Sequence, residues 1–190
     1  MMNNLALFAS GSGTNVQNII EYFQQNTLIN IQCILSNKND AYVIERAKRF
    51  NIKYLTFNRE EFYHSNLISD YLKSNEIHFV VLAGFLWLVP DSIIHQYPER
   101  IINIHPALLP KYGGKGMYGM KVHEAVIANK EKESGITIHY VNQHYDEGNI
   151  IFQTKCKIDP SDTPEKLASK IHKLEYEYYP KIIEKLVSAI

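Results

Sequence analysis

The chain has 190 residues, of which 45% are hydrophobic and 21% are charged, so it is long and apolar enough to bury a core. Twenty basic and twenty acidic side chains cancel, which excludes a general electrostatic attraction to nucleic acid or to an anionic membrane. The two cysteines show no CxxC spacing, which argues against a disulfide framework or a zinc site. We expect one domain over residues 1–190. We also expect a cytoplasmic protein, because neither a signal peptide nor an apolar run of the ~20 residues that span a membrane is present.

Short apolar runs alternate with helical patterns through the first two-thirds of the chain. In chain order, the pattern predicts a strand at 5–9, a helix at 15–25, a strand at 31–35, a helix at 42–50, a strand at 53–57, a helix at 59–75, and strands at 79–83 and 101–104. Apolar strands separated by helices are typical of a parallel sheet that is covered on both faces. We therefore predict an α/β fold with an open, mostly parallel, doubly wound (Rossmann-like) sheet, whose ligands bind at the carboxyl ends of the strands.

The pattern changes after about residue 134, where we predict a C-terminal β extension and a final helix. Two β-rich segments, 135–141 and 150–158, are joined by a polar turn, as in a hairpin. Residues 162–165 then offer a capping side chain, a proline in the first turn and an early acid, which together indicate a helix N-terminus. Apolar residues follow at spacings of three and four through 167–182, and Pro180 predicts a kink.

The segment SGSGTN, residues 10–15, lies between the first predicted strand and the first predicted helix. Glycines allow close approach of a ligand to the backbone, and a helix N-terminus favours an anion. The spacing matches neither GxGxxG nor the P-loop, so a single phosphate fits better than a dinucleotide. The alternative is an ordinary strand-to-helix turn capped by Thr14 or Asn15. Its position after the first strand favours the phosphate interpretation.

Asn103 and His105 lie two residues apart at the end of the fifth predicted strand, so strand alternation places both on one side. Asp146 lies in the hairpin turn and would complete a catalytic set if the fold brings it near His105. An amide, an imidazole and a carboxylate can stabilise an oxyanion and move a proton without a metal or redox cofactor, which suits acyl transfer. Alternatively, His105 is a structural hydrogen-bonding residue and Asp146 an ordinary turn residue.

Two further features are less specific. The glycine- and lysine-rich segment 109–119 predicts a mobile loop that closes over an anionic substrate, or else a flexible surface loop. The remaining histidines show no metal-binding spacing, so we predict no metal site. They are His64, His78, His95, His123, His139, His144 and His172. Of these, only His123 stands out, because it follows the glycine-rich segment.

Five segments together resemble the formyltetrahydrofolate-dependent transferases. They are GSGTN at 11–15, SNK at 36–38, LAGF at 82–85, NIHPALLPKY at 103–112 and DEG at 146–148. The resemblance covers essentially the whole chain. NIHPALLPKY is specific to the superfamily, whereas GSGTN and SNK narrow the resemblance to the branch that formylates glycinamide ribonucleotide in purine biosynthesis.

The resemblance implies two small-molecule substrates, glycinamide ribonucleotide and 10-formyltetrahydrofolate as co-substrate, with no metal, nucleic acid or membrane partner, in a monomer or homodimer. Direct attack of the amine on the formyl carbon would pass through a tetrahedral intermediate. The implied catalytic residues are Asn103, His105 and Asp146. The ribonucleotide phosphate would lie on Gly13, Thr14 and Asn15, with Glu175 near the ribonucleotide. The implied folate-binding residues are Arg59, Leu86, Trp87, Leu88, Val89, Asn103, Asn142, Gln143, His144, Tyr145 and Asp146.

The chain departs from many relatives at Trp87, where they carry Arg, and in a longer glycine loop at 113–119.

Three other functions are weighed against the transferase. Methionyl-tRNA formyltransferase needs a further C-terminal domain and a basic surface, and formyltetrahydrofolate deformylase usually carries an N-terminal regulatory domain. A folate- or nucleotide-binding module would have an idle site. The transferase also predicts that activity falls at low pH as Asp146 protonates.

Overall fold

Seven strands form one sheet in residues 2–189, the part of the chain that the computed structural model describes. The strands are β1 Asn3–Phe8, β2 Ile29–Ser36, β3 Lys53–Thr56, β4 Ile77–Leu82, β5 Ile101–His105, β6 Glu133–Tyr140 and β7 Ile150–Lys157. Their order across the sheet is β3-β2-β1-β4-β5-β6-β7. Strands β1 to β5 pair in parallel, whereas β6 and β7 pair antiparallel. This confirms the predicted α/β sheet with a C-terminal β extension.

Helices cover both faces of the sheet within the same residues. They are α1 Thr14–Phe23, α2 Tyr42–Arg49, α3 Arg59–Tyr63, α4 Leu67–Ser74, α5 Asp91–Gln96, α6 Met120–Ala128 and α7 Pro164–Val187. Side chains of β1 alternate between the two faces, which is why β1 contains no polar residue at its buried end. Leu5 and Leu7 belong to the core beneath α1, α2, α6 and α7, and Ala6 and Phe8 to the core beneath α3, α4 and α5. No helix within residues 2–189 has the length and apolar character needed to cross a membrane.

The single helix predicted at 59–75 is wrong, because the chain forms two helices, α3 and α4, separated by residues 64–66. An Asn58–Glu61 capping box begins α3. The hydroxyl of Ser65 donates to the Glu61 carbonyl and accepts from the Leu67 amide, 3.2 Å away. These local side-chain hydrogen bonds compete with the helical ones and interrupt the helix. Helices α5 and α6 were not predicted, since both are short.

The final helix continues through Pro180, which is buried. Proline has no N–H, so the carbonyl of Tyr176 loses its helical partner. The side chain of Asn18 on α1 donates to that carbonyl at 3.0 Å and replaces the lost hydrogen bond. In addition, the buried Tyr179 hydroxyl donates to the Leu82 carbonyl at 2.9 Å. These contacts fix α7 against α1 and the end of β4, beside the point where the strand order reverses.

Candidate active site

A cavity of about 690 Å³ lies at the carboxyl ends of β1, β4 and β5. Strand β1 lies between β2 and β4, so the chain turns to opposite sides of β1 here, and ligands of doubly wound sheets bind at such a point. The segments that line the cavity are residues 10–15, 82–89, 103–106, 114–120 and 144–146, with side chains from α6 and α7. The volume is within the range of sites that hold small organic molecules.

One end of the cavity is the N-terminus of α1, formed by Gly13, Thr14 and Asn15. Gly13 adopts φ +71°, and no described side chain caps the helix, so the alternative of a turn capped by Thr14 or Asn15 is not observed. A Cβ at Gly13 would lie 2.5 Å from Val43 Cγ2, so packing as well as conformation requires glycine there. The first backbone N–H groups of α1 are therefore left free of side-chain partners, as in an anion site.

Glu175 of α7 also lines the cavity and is only 5% exposed. A glutamate on the final helix is ordinarily solvated, and only the family resemblance singled out Glu175 in the sequence. Its Oε2 accepts hydrogen bonds from Asn15 Nδ2 at 2.9 Å and from His172 Nδ1 at 2.8 Å. The hydrogen bond to Glu175 raises the pKa of His172 although burial opposes it. The Asn15 side chain therefore binds the Glu175 carboxylate, and both residues line the cavity.

Asn103 and His105 meet at the carboxylate of Asp146. The Asn103 amide nitrogen lies 3.4 Å from Asp146 Oδ1, and His105 Nδ1 lies 3.4 Å from Asp146 Oδ2. Both belong to β5, and the hairpin between β6 and β7 carries Asp146 to the same side. The structure therefore brings together the three residues that the sequence singles out for catalysis, in the wall of the cavity.

His139 completes this cluster, and the sequence analysis missed it. It lies opposite Asn103 in the antiparallel pair of β5 and β6, and its Nε2 lies 3.2 Å from the Asn103 amide nitrogen. Its Nδ1 lies 2.8 Å from the carbonyl oxygen of Tyr140, which only accepts, so Nδ1 carries the proton. In the neutral ring Nε2 is then the acceptor, and it orients the Asn103 amide. The register of β5 against β6 was the signal that could have identified it.

His105 is only 3% exposed, and both of its ring nitrogens face acceptors. Nε2 lies 2.7 Å from the carbonyl oxygen of Tyr112, which assigns a proton to Nε2. Nδ1 faces Asp146 and is unprotonated in the neutral ring. Burial lowers the pKa of His105, although the Asp146 carboxylate and the Tyr112 carbonyl both favour the charged form. The ring is thus a neutral base at neutral pH, with its lone pair directed at Asp146.

Asp146 is held in the charged form. Burial alone would raise its pKa, but the neighbouring His139 and His105 side chains and the Gly114 N–H lower the pKa below its ordinary value. The Gly114 N–H donates to Oδ2 at 2.9 Å. Asp146 also adopts φ +58°, a left-handed conformation that Asp tolerates better than most residues. A carboxylate with this pKa stays ionised between pH 5 and 8, so its protonation does not explain a change of activity in that range.

The predicted folate-binding residues divide into two groups. Leu86 to Val89 and His144 to Asp146 line the cavity. Arg59, Asn142 and Gln143 are not part of that lining. Arg59 instead lies behind it, with its guanidinium 5.1 Å from the ring centroid of Trp87. Trp87 therefore separates Arg59 from the cavity and holds it by a cation–π contact.

The glycine-rich loop forms one side of the cavity from Gly114 to Gly119. It is joined to the cluster around Asp146 through the hydrogen bond from Gly114 to Asp146 and through the Tyr112 carbonyl at His105. Within residues 2–189, no three His, Cys, Asp or Glu side chains form a group that could bind a metal ion. The polar groups that line the cavity include the N-terminus of α1, the buried Glu175 carboxylate and the cluster around Asp146.

Comparison with known proteins gives consistent matches over nearly the whole chain. A profile of the formyl transferase family matches residues 3–183. The chain is 35% identical over 191 residues to phosphoribosylglycinamide formyltransferase of Bacillus subtilis, covering 98% of this chain and 95% of the relative. The crystal structure of phosphoribosylglycinamide formyltransferase from Bacillus halodurans superposes with a TM-score of 0.87 at 36% identity, covering 98% of this chain and 96% of that one.

Plant relatives are longer. The chain is 38% identical over 185 residues to the chloroplastic phosphoribosylglycinamide formyltransferase of Arabidopsis thaliana, covering 94% of this chain. It spans 63% of the length of that relative and 60% of the length of the corresponding protein of Vigna unguiculata.

Proposed function

The chain belongs to the formyl transferase family, and on this basis we propose that it transfers the formyl group of 10-formyltetrahydrofolate to the amine of glycinamide ribonucleotide in de novo purine biosynthesis. The observation that carries the proposal is the convergence of Asn103 and His105 on Asp146 inside a cavity whose other end is an uncapped helix N-terminus. The relatives at 31–38% identity that bear the name phosphoribosylglycinamide formyltransferase support the same substrates.

The ribonucleotide fits the end of the cavity formed by α1 and α7. Its phosphate would accept hydrogen bonds from the backbone N–H groups of Gly13, Thr14 and Asn15. Glu175 would accept hydrogen bonds from hydroxyl or amine groups further along the ribonucleotide, because its carboxylate is buried and borders the same space. The amine would then lie near Asp146, and the folate would occupy the end formed by Leu86 to Val89 and His144 to Asp146.

The reaction begins with attack of the neutral amine on the formyl carbon, which places a negative charge on the formyl oxygen. Asn103 is suited to stabilise that oxyanion, because one amide N–H is used by His139 and the other makes only the 3.4 Å contact with Asp146. His105 gains a donor at Nδ1 once it takes up a proton, and ionised Asp146 stabilises the resulting imidazolium. The cluster therefore becomes a better oxyanion site as the intermediate forms.

The same cluster can also carry the proton that the attacking amine loses. The attacking nitrogen becomes positively charged in the tetrahedral intermediate and loses a proton toward Asp146 and His105, directly or through water. The folate nitrogen N10 receives a proton as its bond to the formyl carbon breaks. The products are the formylated ribonucleotide and tetrahydrofolate, and neither a covalent enzyme intermediate nor an external oxidant or reductant is needed.

An assay with and without the acceptor tests the proposal. Purified protein is mixed with 10-formyltetrahydrofolate, with or without glycinamide ribonucleotide, and the folate absorbance and product mass are followed. We expect folate consumption and a formylated product only with the ribonucleotide, and a fall of about 10²-fold or more for Asp146→Asn. Consumption without the ribonucleotide, with release of formate, would instead identify a deformylase. Turnover of Asp146→Asn at the wild-type rate would refute the assigned site.

A further inference from the structure

A buried histidine on α6 has no role in the reaction described so far. His123 is 3% exposed and lines the cavity together with Ala168, His172 and Glu175 of α7. Its helix begins directly after the glycine-rich loop, and the neighbouring Val122 belongs to the apolar core. The helix therefore packs through its valines and presents His123 to the cavity wall.

The hydrogen bonds of His123 are incomplete. Its Nδ1 is buried and has no hydrogen-bond partner among residues 2–189. Other histidines in this protein differ: His78 accepts the Asn4 amide N–H at 3.1 Å, and His139 uses both ring nitrogens. A buried polar group in a native protein normally has a partner, and a missing one points to a bound molecule or water. If this position only filled space, an apolar residue of similar size would do so at a lower free-energy cost, because it has no polar group to bury.

The position of His123 indicates which part of a ligand it would meet. The charged and titratable groups that act on it are Glu175 and His172 on α7 and His105 at the end of β5. Glu175 borders the anion end of the cavity, and His105 belongs to the catalytic cluster. His123 thus lies between the end assigned to the phosphate and the place where the amine reacts.

The chemistry of the ring fits a neutral polar partner. Burial lowers the pKa of His123, the Glu175 carboxylate opposes this, and His172 and His105 reinforce it. A neutral imidazole has one donor and one acceptor nitrogen, which matches hydroxyl and amide groups better than a phosphate. In glycinamide ribonucleotide such groups lie between the phosphate and the terminal amine, in the ribose ring and the glycinamide amide.

We propose that His123 binds the acceptor substrate, through a hydrogen bond to the ribosyl-glycinamide portion between its phosphate and its amine. The assignment rests on the proposed function, since it takes glycinamide ribonucleotide as the acceptor. It adds a recognition residue from α6 to the groups supplied by α1 and α7. It also links the glycine-rich loop to acceptor binding, because α6 begins where that loop ends.

The test separates binding of the two substrates. His123→Phe and His123→Leu remove the hydrogen bond, His123→Gln retains a polar group, and exposed His95→Phe is the matched control. Calorimetry measures the Kd for glycinamide ribonucleotide, and steady-state kinetics measure KM for each substrate. We expect Phe and Leu to weaken ribonucleotide binding about tenfold, with Gln intermediate and the KM for folate within about twofold of wild type.

The outcomes distinguish this assignment from the proposed function. If either apolar variant keeps the wild-type melting transition and the wild-type Kd for the ribonucleotide, His123 does not bind the acceptor. An equal rise of KM for both substrates would likewise overturn the assignment, because it would indicate a general disturbance of the cavity. Wild-type protein that neither binds nor formylates the ribonucleotide would overturn the proposed function, and the assignment with it.

Discussion

His105 is held between two acceptors, the carbonyl oxygen of Tyr112 and the carboxylate of Asp146, in a buried position. Burial disfavours its charged form, and the two acceptors favour it. The balance leaves the pKa below its ordinary value, and removal of either acceptor would lower the pKa further. In the proposed reaction His105 gains a proton and loses it again in each turnover, so the two acceptors would assist that cycle.

We predict that Asp146→Asn lowers the pKa of His105 further. The substitution removes the negative charge that stabilises the imidazolium and leaves the burial unchanged, so protonation requires a lower pH. The ring signals of His105, assigned by their loss in His105→Gln, can be followed by NMR as pH is varied. The ring signals of the exposed His64 serve as the internal reference. An unchanged or raised His105 midpoint would show that Asp146 does not act on its charge.

Individual residues of the site differ in how well the sequence predicts their positions. Alternation along one strand was sufficient to place Asn103 and His105 on the same side, because a strand's period depends only on that strand. The position of His139 depends on the register between two strands, and the burial of Glu175 depends on how α7 packs over α1. Neither is determined by local sequence, which is why His139 was missed and only the family resemblance singled out Glu175.

At the scale of elements, the hairpin between β6 and β7 determines where Asp146 lies. Gly148 follows Asp146 by two residues, and a Cβ there would lie 1.7 Å from the carbonyl oxygen of Tyr140. The close approach of the two backbones therefore depends on the absence of a side chain. The turn sequence predicted a hairpin, but not this contact, since it arises from the pairing geometry.

We predict that Gly148→Ala both destabilises the protein and reduces turnover. The added methyl group must displace the hairpin backbone, at a cost of about 2 kcal/mol, and this moves Asp146 relative to His105. Gly11→Ala is the matched control for stability, because a Cβ at Gly11 meets nothing within 4 Å. Thermal melts and kcat measure the two effects. A Gly148→Ala protein with wild-type kcat would mean that Asp146 tolerates displacement of its turn.

The sequence likewise predicts that the C-terminal helix forms, but not the contacts that hold it in place. Its start, its apolar stripe and the Pro180 within it are all visible in the sequence. The hydrogen bond from Asn18 that satisfies the Tyr176 carbonyl is not visible, because the two residues are 158 positions apart in the chain. Long-range contacts of this kind fix α7 over the cavity, whereas local patterns predict only that a helix forms.

At the scale of the whole molecule, a single cavity contains both the N-terminus of α1 and the cluster around Asp146. The predicted fold class was enough to locate that cavity at the carboxyl ends of the strands. Reversal of strand order beside β1 creates the space, and the residues at the ends of β1, β4 and β5 line it. The sequence predicted both the sheet and its functional edge. It did not predict that Trp87 would lie between Arg59 and the cavity, since that arrangement depends on an aromatic cluster of Phe57, Phe62 and Phe85 around the indole.

Trp87 is the only tryptophan of the chain and lines the part of the cavity assigned to the folate, so its fluorescence reports on the surroundings of that side chain. We predict that 10-formyltetrahydrofolate or a non-reactive folate analogue changes the emission of Trp87, because an aromatic ligand beside the indole alters its surroundings. Glycinamide ribonucleotide alone should leave the emission almost unchanged, since its proposed contacts lie with Gly13 and Glu175. Trp87→Phe is the control for absorption by the ligand itself. An equal response to both ligands would mean that the two substrates do not occupy separate ends of the cavity.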